Sequence, residues 1–319
     1  MVGKPTAAVS PGHPPSAVSP RKRWLQRVGF LALVLAVALG GLAYRLRHRG
    51  LSAEEWSSRP LEELQALARR DPHNAGAQLG LGIQDARAGD PVRAEAALER
   101  CIALAPDSAA AYAALGEIAR RQGDDRRAAA RFARAVSLDP SFDEGCLQAA
   151  NAFTHMQSYR QARPYAAAYA RRQPRDWQGP FLLGMISAGE GKMPEALAQY
   201  TEAARRAPEH APSYLNAGAT FLYGPATPDR LAAAAGWFQR GLAVAPGYPE
   251  LHYYLGIVRF RQRRWSEAGA SLRQAVALEP SLTEAYYPLA QSLRKLGHTD
   301  EAKLCLELYS RLRASERGG

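Results

Sequence analysis

The sequence predicts an all-α protein, namely an α-solenoid of seven helix-turn-helix repeats preceded by one transmembrane helix. Two observations predict the repeats: proline recurs at an almost constant interval, and a small residue recurs at a fixed distance after it. A third observation, an uncharged apolar run near the amino terminus, predicts the membrane helix. The chain has 319 residues, of which 47% are hydrophobic and 22% are charged, a composition typical of a folded protein.

The positive charge of the chain is concentrated at its amino terminus. The formal net charge is +11, but residues 1–50 contain eight basic residues and no acidic one, and the remainder is close to neutral. A nucleic-acid-binding domain would need a basic face on its folded part. We therefore expect no nucleic-acid partner.

The first two elements in chain order are a tail and a membrane anchor. Residues 1–23 are rich in proline and end in basic residues, which predicts a disordered tail. Residues 24–46 are predicted to form the transmembrane helix, because the run from Val28 to Tyr44 carries no charge and would span about 25 Å as a helix. Trp24 and Tyr44 bracket this run, as interfacial aromatic residues do. The anchor implies contact with membrane lipid.

Two alternatives to the anchor remain open at this point. The run could be a cleaved signal peptide, with small residues at 36–38 as the cleavage site, or a buried helix of the folded domain. The basic residues on the two sides nearly balance, so orientation rests on the shortness of the tail. We expect a single-pass protein of the cell membrane with its repeats outside the cytoplasm, in the periplasm. A cytoplasmic location is the alternative.

Residues 47–74 are predicted to be a linker and an N-terminal capping helix. The stretch LEELQALARRDP has the apolar spacing of the second helix of a repeat, without a first helix before it. It therefore suits one end of a stacked array.

Seven similar units follow, and several positions recur in them together. The prolines are 34 residues apart with one interval of 38, at Pro72, Pro106, Pro140, Pro174, Pro208, Pro246 and Pro280. A small residue stands ten positions after each, at Gly82, Gly116, Ala150, Gly184, Gly218, Gly256 and Ala290. Later in each unit comes a residue that is aromatic or leucine in six of the seven: Leu98, Phe132, Ala166, Tyr200, Phe238, Leu272 and Leu306.

This combination of positions resembles the tetratricopeptide repeat family, in particular its bacterial membrane-anchored members. The resemblance covers seven units and leaves residues 315–319 as a tail. The units are 75–108, 109–142, 143–176, 177–210, 211–248, 249–282 and 283–314. It implies two antiparallel helices per unit, stacked into a right-handed superhelix.

Small and flexible residues have definite places in such a unit. Glycine or alanine on the first helix lets the second helix approach closely, where a larger side chain would separate the two. Four glycines are predicted to end first helices in the left-handed conformation. They are Gly89, Gly123, Gly191 and Gly297.

The sequence contains no catalytic or metal-binding motif. It has no HExxH, no GxSxG, no P-loop and no dinucleotide fingerprint. The seven histidines are scattered, and the three cysteines are far apart. We therefore expect neither an enzyme nor a cofactor, metal or small-molecule substrate.

The candidate site follows from the resemblance. In the family the first helices line a concave groove that receives an extended peptide or a partner helix. Carried onto this chain, that geometry predicts an aromatic groove with basic edges in the later units. The predicted groove residues are Phe181, Met185, Leu215, Asn216, Tyr223, Tyr253, Tyr254, Phe260, Tyr287 and Arg294. The alternative for each residue is packing between neighbouring repeats.

The function predicted from the sequence is a membrane-anchored scaffold that binds a protein partner, in envelope assembly, secretion or biogenesis. The alternative is a non-catalytic regulatory subunit of an enzyme that makes an envelope glycan or lipopolysaccharide. A chaperone co-receptor is disfavoured, because the lysines with which such family members clamp a terminal carboxylate are missing.

Overall fold

The computed structural model describes residues 52–318, and their side chains as far as Glu316. Within this range, the residues from Trp56 onward form one unit by their internal contacts. The predicted tail 1–23 and membrane helix 24–46 lie outside the described residues. Within residues 52–318, no helix combines the length and the apolar character that crossing a membrane requires.

Sixteen helices and no strand occur in the described part of the chain. They are α1 (Ala53–Ser57), α2 (Leu61–Arg70), α3 (Ala75–Arg87), α4 (Pro91–Leu104), α5 (Ala109–Arg121), α6 (Asp125–Leu138), α7 (Asp143–His155), α8 (Tyr159–Arg172), α9 (Gln178–Gly189), α10 (Met193–Arg206), α11 (Ala211–Thr220), α12 (Pro228–Val244), α13 (Pro249–Arg261), α14 (Trp265–Leu278), α15 (Thr283–Lys295) and α16 (Thr299–Gly318). The prediction of an all-α fold is confirmed.

From α3 onward the helices form seven consecutive pairs. Each odd-numbered helix packs against the helix that follows it, and each even-numbered helix packs against the first helix of the next pair. Several neighbouring first helices also touch, such as α7 with α9 and α13 with α15. Ahead of the pairs, α2 packs on α3 through the buried Leu64. This stacking confirms the predicted repeat solenoid.

Short polar side chains fix where several helices begin. Asn74 accepts a hydrogen bond from the backbone N–H of Ala77 at 2.9 Å, and Asp90 and Asp124 accept equivalent bonds at their helix starts. Each bond satisfies a backbone donor that the helix itself leaves unpaired. The polar residues before these three helices thus define where the helices begin.

The recurring small residue is the point of closest approach within a pair. A Cβ atom built on Gly218 would lie 2.4 Å from the Phe238 ring, and one on Gly184 would lie 2.7 Å from the Tyr200 ring. Leu98, Phe132 and Leu272 meet the corresponding glycines of their own units in the same way. The glycine therefore makes room for the large side chain of the second helix.

In the third pair, the two facing positions carry a different combination of residues. Its two facing positions are Ala150 and Ala166, both fully buried in one apolar cluster. The added methyl group on the first helix is matched by loss of the large side chain on the second. The volume at the contact is thus adjusted from both sides.

The turns inside the pairs contain the predicted left-handed residues. Gly89, Gly123, Gly191 and Gly297 have φ between 75° and 84°, as predicted. In the third and sixth pairs the same place is taken by Gln157, with φ 56°, and Arg263, with φ 60°. A side chain at such a φ costs about 1–2 kcal/mol, because its Cβ approaches the following carbonyl oxygen.

Arg263→Gly is therefore expected to raise the free energy of unfolding by about 0.5–1 kcal/mol. The gain is smaller than the strain because glycine also increases the entropy of the unfolded chain. Ala88→Gly is the control, since Ala88 is exposed and has an ordinary helical φ of −73°. It should lower the free energy of unfolding by about 0.5–1 kcal/mol. Urea unfolding followed by circular dichroism measures both, and a loss of stability in Arg263→Gly would contradict the expectation.

The fifth pair differs at its turn and the seventh at its end. In the fifth, α11 stops at Thr220, and the Arg230 guanidinium donates hydrogen bonds to the backbone oxygens of Thr220 and Tyr223. In the seventh, α16 continues past residue 314 and includes most of the predicted tail. The Thr283 hydroxyl donates a 2.6 Å hydrogen bond to the Glu316 carboxylate, which holds this extra turn against α15.

Candidate functional site

Two adjoining clefts lie on the first helices of the last three pairs. The larger, about 430 Å³, lies among α13, α15 and α16, and the smaller, about 220 Å³, lies between α11 and α13. Tyr253, Ile257 and Arg261 of α13 line both clefts. We call the two clefts together the aromatic groove. Its other lining residues are Ala219, Leu222, Tyr223, Tyr254, Phe260, Thr283, Glu284, Tyr287, Pro288, Gln291, Tyr309, Arg313 and Glu316.

Ring contacts hold the aromatic side chains of the groove in place. Tyr253 meets Tyr254 edge-on at 4.9 Å between ring centres, and Tyr254 stacks on the fully buried Phe238 at 5.7 Å. At the other end Tyr287 lies 5.8 Å from Tyr309 of α16. Such contacts fix side-chain rotamers before any partner arrives.

The groove combines exposed rings with rings that are partly buried. Tyr223 is 60% exposed and Tyr287 is 50% exposed, whereas Tyr253 and Tyr254 are half-buried. Burial raises the pKa of both Tyr253 and Tyr254. Their hydroxyl groups therefore stay protonated at neutral pH and can donate hydrogen bonds to a ligand.

The structure brings half of the predicted groove residues together. Tyr223, Tyr253, Tyr254, Phe260 and Tyr287 line the aromatic groove. They come from the first helices α13 and α15 and from the turn after α11. The 34-residue period aligns Tyr253 with Tyr287.

The other predicted residues lie elsewhere. Phe181 and Met185 pack half-buried against the cluster around Tyr200, and Leu215 packs against the cluster around Phe238. These three side chains contribute to packing between helices, the alternative raised above. Asn216 is half-buried on α11, and Arg294 is exposed near the end of α15.

A histidine completes the packing near Phe181. His210 lies 3.7 Å from the Trp177 ring and 5.0 Å from the Phe181 ring, between ring centres. Its Nδ1 is 2.8 Å from the hydroxyl oxygen of the buried Ser213. Burial lowers the pKa of His210, against a smaller opposing effect of Glu209. The neutral ring is thus part of the packing between the fourth and fifth pairs.

Three groove residues on α16 were not predicted. Tyr309, Arg313 and Glu316 line the larger cleft, and the Arg313 Nε donates a 3.2 Å hydrogen bond to the Tyr309 hydroxyl. The prediction placed only first helices in the groove and ended the last unit at residue 314. The sequence after Tyr309 contains no proline, which was the signal that the helix could continue.

Among the described residues, another cleft and the distribution of possible metal ligands could also indicate a site. A cleft of about 480 Å³ lies near α2 and α3, and its lining residues, such as Gln65, Arg69 and Arg100, include no aromatic one. Among residues 52–318 no group of three or more His, Cys, Asp or Glu residues could hold a metal ion.

The fold defines a helical repeat protein whose units present a lined groove on their first helices. A family model described as tetratricopeptide repeat matches residues 85–141, 147–211 and 229–283, and a second model of the same description matches residues 283–315. The chain therefore belongs to the tetratricopeptide repeat family. No curated protein is significantly similar to it in sequence.

Solved structures with the same fold have low sequence identity to this chain. YrrB, described as a tetratricopeptide repeat protein with an unusual peptide-binding site, is 20% identical with a TM-score of 0.54, over 59% of this chain and 94% of YrrB. The C-terminal part of a repeat protein from Cytophaga hutchinsonii is 16% identical with a TM-score of 0.57, over 72% of this chain and 93% of that one. A repeat protein from Parabacteroides merdae is 13% identical with a TM-score of 0.50, over 73% and 91%.

The likeness at these identities concerns the fold, and the family indicates the general role. Tetratricopeptide repeat proteins are generally non-catalytic scaffolds. Family and fold together support a protein–protein interaction scaffold.

Proposed function

We propose that this protein binds a segment of a partner protein in the aromatic groove. The single observation that carries the proposal is the continuity of the two clefts through Tyr253, Ile257 and Arg261. A bound segment could contact three successive first helices without a break. Rigid aromatic rings give large contact area at low entropy cost, and Tyr223 and Tyr287 expose such rings.

The similarity to YrrB is compatible with this proposal, since that structure is described as having a peptide-binding site. It does not identify the segment that this chain would bind. The proposal therefore rests on the groove of this chain.

Photo-crosslinking in intact cells tests the proposal. A photoreactive phenylalanine analogue replaces Tyr223 or Tyr287 in the full chain, and Gln274 in the control. Gln274 is exposed on the second helix α14 and lies outside both clefts. We expect a discrete crosslinked product from the two groove positions and none from Gln274. The same product from all three positions, or from none, would contradict groove binding.

Variants that test the groove must leave the packing of the fold intact. Tyr254 stacks on Phe238, and Tyr253 packs against the cluster of the last pair, so alanine at these positions would also destabilise the fold. Serine at Tyr223 and Tyr287 removes exposed rings instead. The crosslinked product is then measured from a neighbouring groove position in that double variant. Its loss reports a loss of binding, because the replaced rings are exposed and do not support the fold.

We also propose that residues 24–46 anchor the scaffold in the cell membrane, with the repeats in the periplasm. The uncharged run and its flanking aromatic residues support this proposal. Within such an envelope location the partner would belong to an assembly, secretion or biogenesis complex. Protease accessibility in intact cells and in spheroplasts tests the side of the membrane, and a mature amino terminus near Gly40 would replace the anchor by a cleaved signal.

The alternative role, as a regulatory subunit of an envelope glycan or lipopolysaccharide enzyme, would use the same groove. Co-purification of an enzyme whose turnover changes when Tyr223 and Tyr287 are replaced would favour it over a passive scaffold.

A further inference from the structure

We infer that the segment bound in the aromatic groove is acidic: its carboxylates face Arg261, Arg294 and Lys295, and an apolar side chain enters the larger cleft. This inference rests on the proposed function and adds the chemistry of the partner. It comes from the charges of the first helices, compared unit by unit.

Three basic residues end the first helices of the last two pairs, and we call them the basic edge. Arg261 lines both clefts, and Arg294 and Lys295 stand at the corresponding end of α15. Arg261 is the last residue of α13, and Arg294 and Lys295 are the last two of α15. All three are exposed. Among the described residues 52–318, none of their side chains has an ion pair, a hydrogen bond or an aromatic ring beneath it.

In the second unit, the corresponding basic residues are paired with a carboxylate of the same helix. Arg120 and Arg121 end α5 at the positions that correspond to Arg294 and Lys295. Both donate 2.8 Å hydrogen bonds to the Glu117 carboxylate, one turn earlier. That contact lowers the pKa of Glu117. A carboxylate three or four residues before an arginine suffices to pair it.

The neutralising carboxylate is missing where the groove lies. The position of Glu117 is taken by Ile257 in α13 and by Gln291 in α15. Ile257 lines both clefts and Gln291 lines the larger one. The same residues that build the wall of the groove thus leave Arg261, Arg294 and Lys295 without an internal partner.

The attraction of a helix end for cations does not account for this difference. Basic residues in a last turn complement the carbonyl end of the helix dipole, but that effect is equal for α5, α13 and α15. Only in α5 is the charge also paired inside the chain.

The acidic residues of the groove lie away from this edge or are engaged. Glu284 is the second residue of α15, at the opposite end of that helix from Arg294 and Lys295. Glu316 accepts the hydrogen bond from Thr283, and Arg313 contacts Tyr309. The basic edge therefore faces a bound segment from one side, and carboxylates on that side would be paired.

The test uses synthetic peptides and the full chain. The probe is a fluorescein-labelled peptide of about twelve residues, with one central tryptophan flanked by aspartate and glutamate. As an extended chain it is long enough to cross three helices of about 10 Å each. A second peptide has lysine in place of every acid, a third has serine in place of tryptophan, and a single-stranded oligonucleotide serves as a polyanion. Fluorescence anisotropy measures binding at low and high salt.

We expect the acidic tryptophan peptide to bind at least about tenfold more tightly than the lysine and serine peptides, and salt to weaken its binding. Gln291→Glu, which is nearly isosteric, should weaken the acidic peptide about tenfold by pairing Arg294 and Lys295 within α15. Ile257→Glu should act likewise on Arg261. Gln274→Glu on α14 adds the same charge outside the groove and should change affinity less than twofold.

Several results would overturn the inference. Equal or tighter binding of the lysine peptide, lost in Tyr287→Ser, would retain groove binding and exclude an acidic segment. Oligonucleotide binding as tight as that of the acidic peptide would mean general attraction to anions. An unchanged affinity in Gln291→Glu would show that the peptide carboxylates do not face Arg294 and Lys295. Failure of every peptide to bind would also exclude the inference, while crosslinking from Tyr223 and Tyr287 would still decide the proposed function.

Discussion

Gly218→Leu is expected to lower the free energy of unfolding by about 3 kcal/mol or more. A Cβ atom at this position would already lie 2.4 Å from the Phe238 ring, and leucine adds three further carbon atoms. Phe238 is fully buried between its own pair and the next, so its ring cannot move into solvent. Helices α11 and α12 would have to separate along their contact. Urea unfolding followed by circular dichroism measures the loss.

The chain contains a matched control for this substitution. Gly236 lies in the interior of α12, and a Cβ atom there would meet nothing within 4 Å. Because leucine favours the helix more than glycine does, Gly236→Leu should raise the free energy of unfolding by up to about 0.8 kcal/mol. Similar destabilisation by both variants would show that the Gly218 contact is not the point of closest approach.

Phe238→Ala is expected to lower the free energy of unfolding by about 3–5 kcal/mol. The side chain is fully buried, and its removal leaves a cavity lined by Gly218 and Tyr254. Val92→Ala is the control, because Val92 is 78% exposed and should change stability by less than about 0.5 kcal/mol. Since a repeat array can unfold in parts, hydrogen exchange of α11 and α12 should locate the loss. Uniform loss of protection along the whole array would contradict a local cavity.

Alanine substitutions at Gly218 and Phe238 are also expected to be coupled. The double variant Gly218→Ala with Phe238→Ala reproduces the Ala150 and Ala166 contact of the third pair. Its destabilisation should be smaller than the sum of the two single alanine variants, because the added methyl group fills part of the cavity.

The fold could be predicted from the sequence because the units repeat the same spacing between two facing positions. The separation of Gly116 and Phe132 along the chain, 16 residues, recurs at the corresponding positions of five other units, and it is 20 residues in the longer fifth unit. The left-handed turns were predictable only where glycine marks them. Gln157 and Arg263 adopt the same conformation, because the helices on both sides impose it although it is unfavourable for residues with a side chain.

The site was predictable in part. A period assigns residues to the first helix, which placed Tyr253 and Tyr287 in the groove. It does not say how far a side chain is covered by the neighbouring helix, so Phe181 and Leu215 were assigned to the groove although they pack half-buried against apolar clusters. The period also gave no reason to place a second helix in the groove, so Arg313 on α16 was missed, and Glu316 lies in the extra turn beyond the repeat pattern.

The matching of small and large residues within each pair limits how this gene can recombine. Joining α7 to α12 would set Phe238 against Ala150, and joining α11 to α8 would leave Gly218 facing Ala166 across a void. Exchange inside a unit is therefore harmful, whereas loss or duplication of a whole 34-residue unit keeps both members of a contact together. The ancestry of the array should show breakpoints between units, with the two helices of each unit sharing one history.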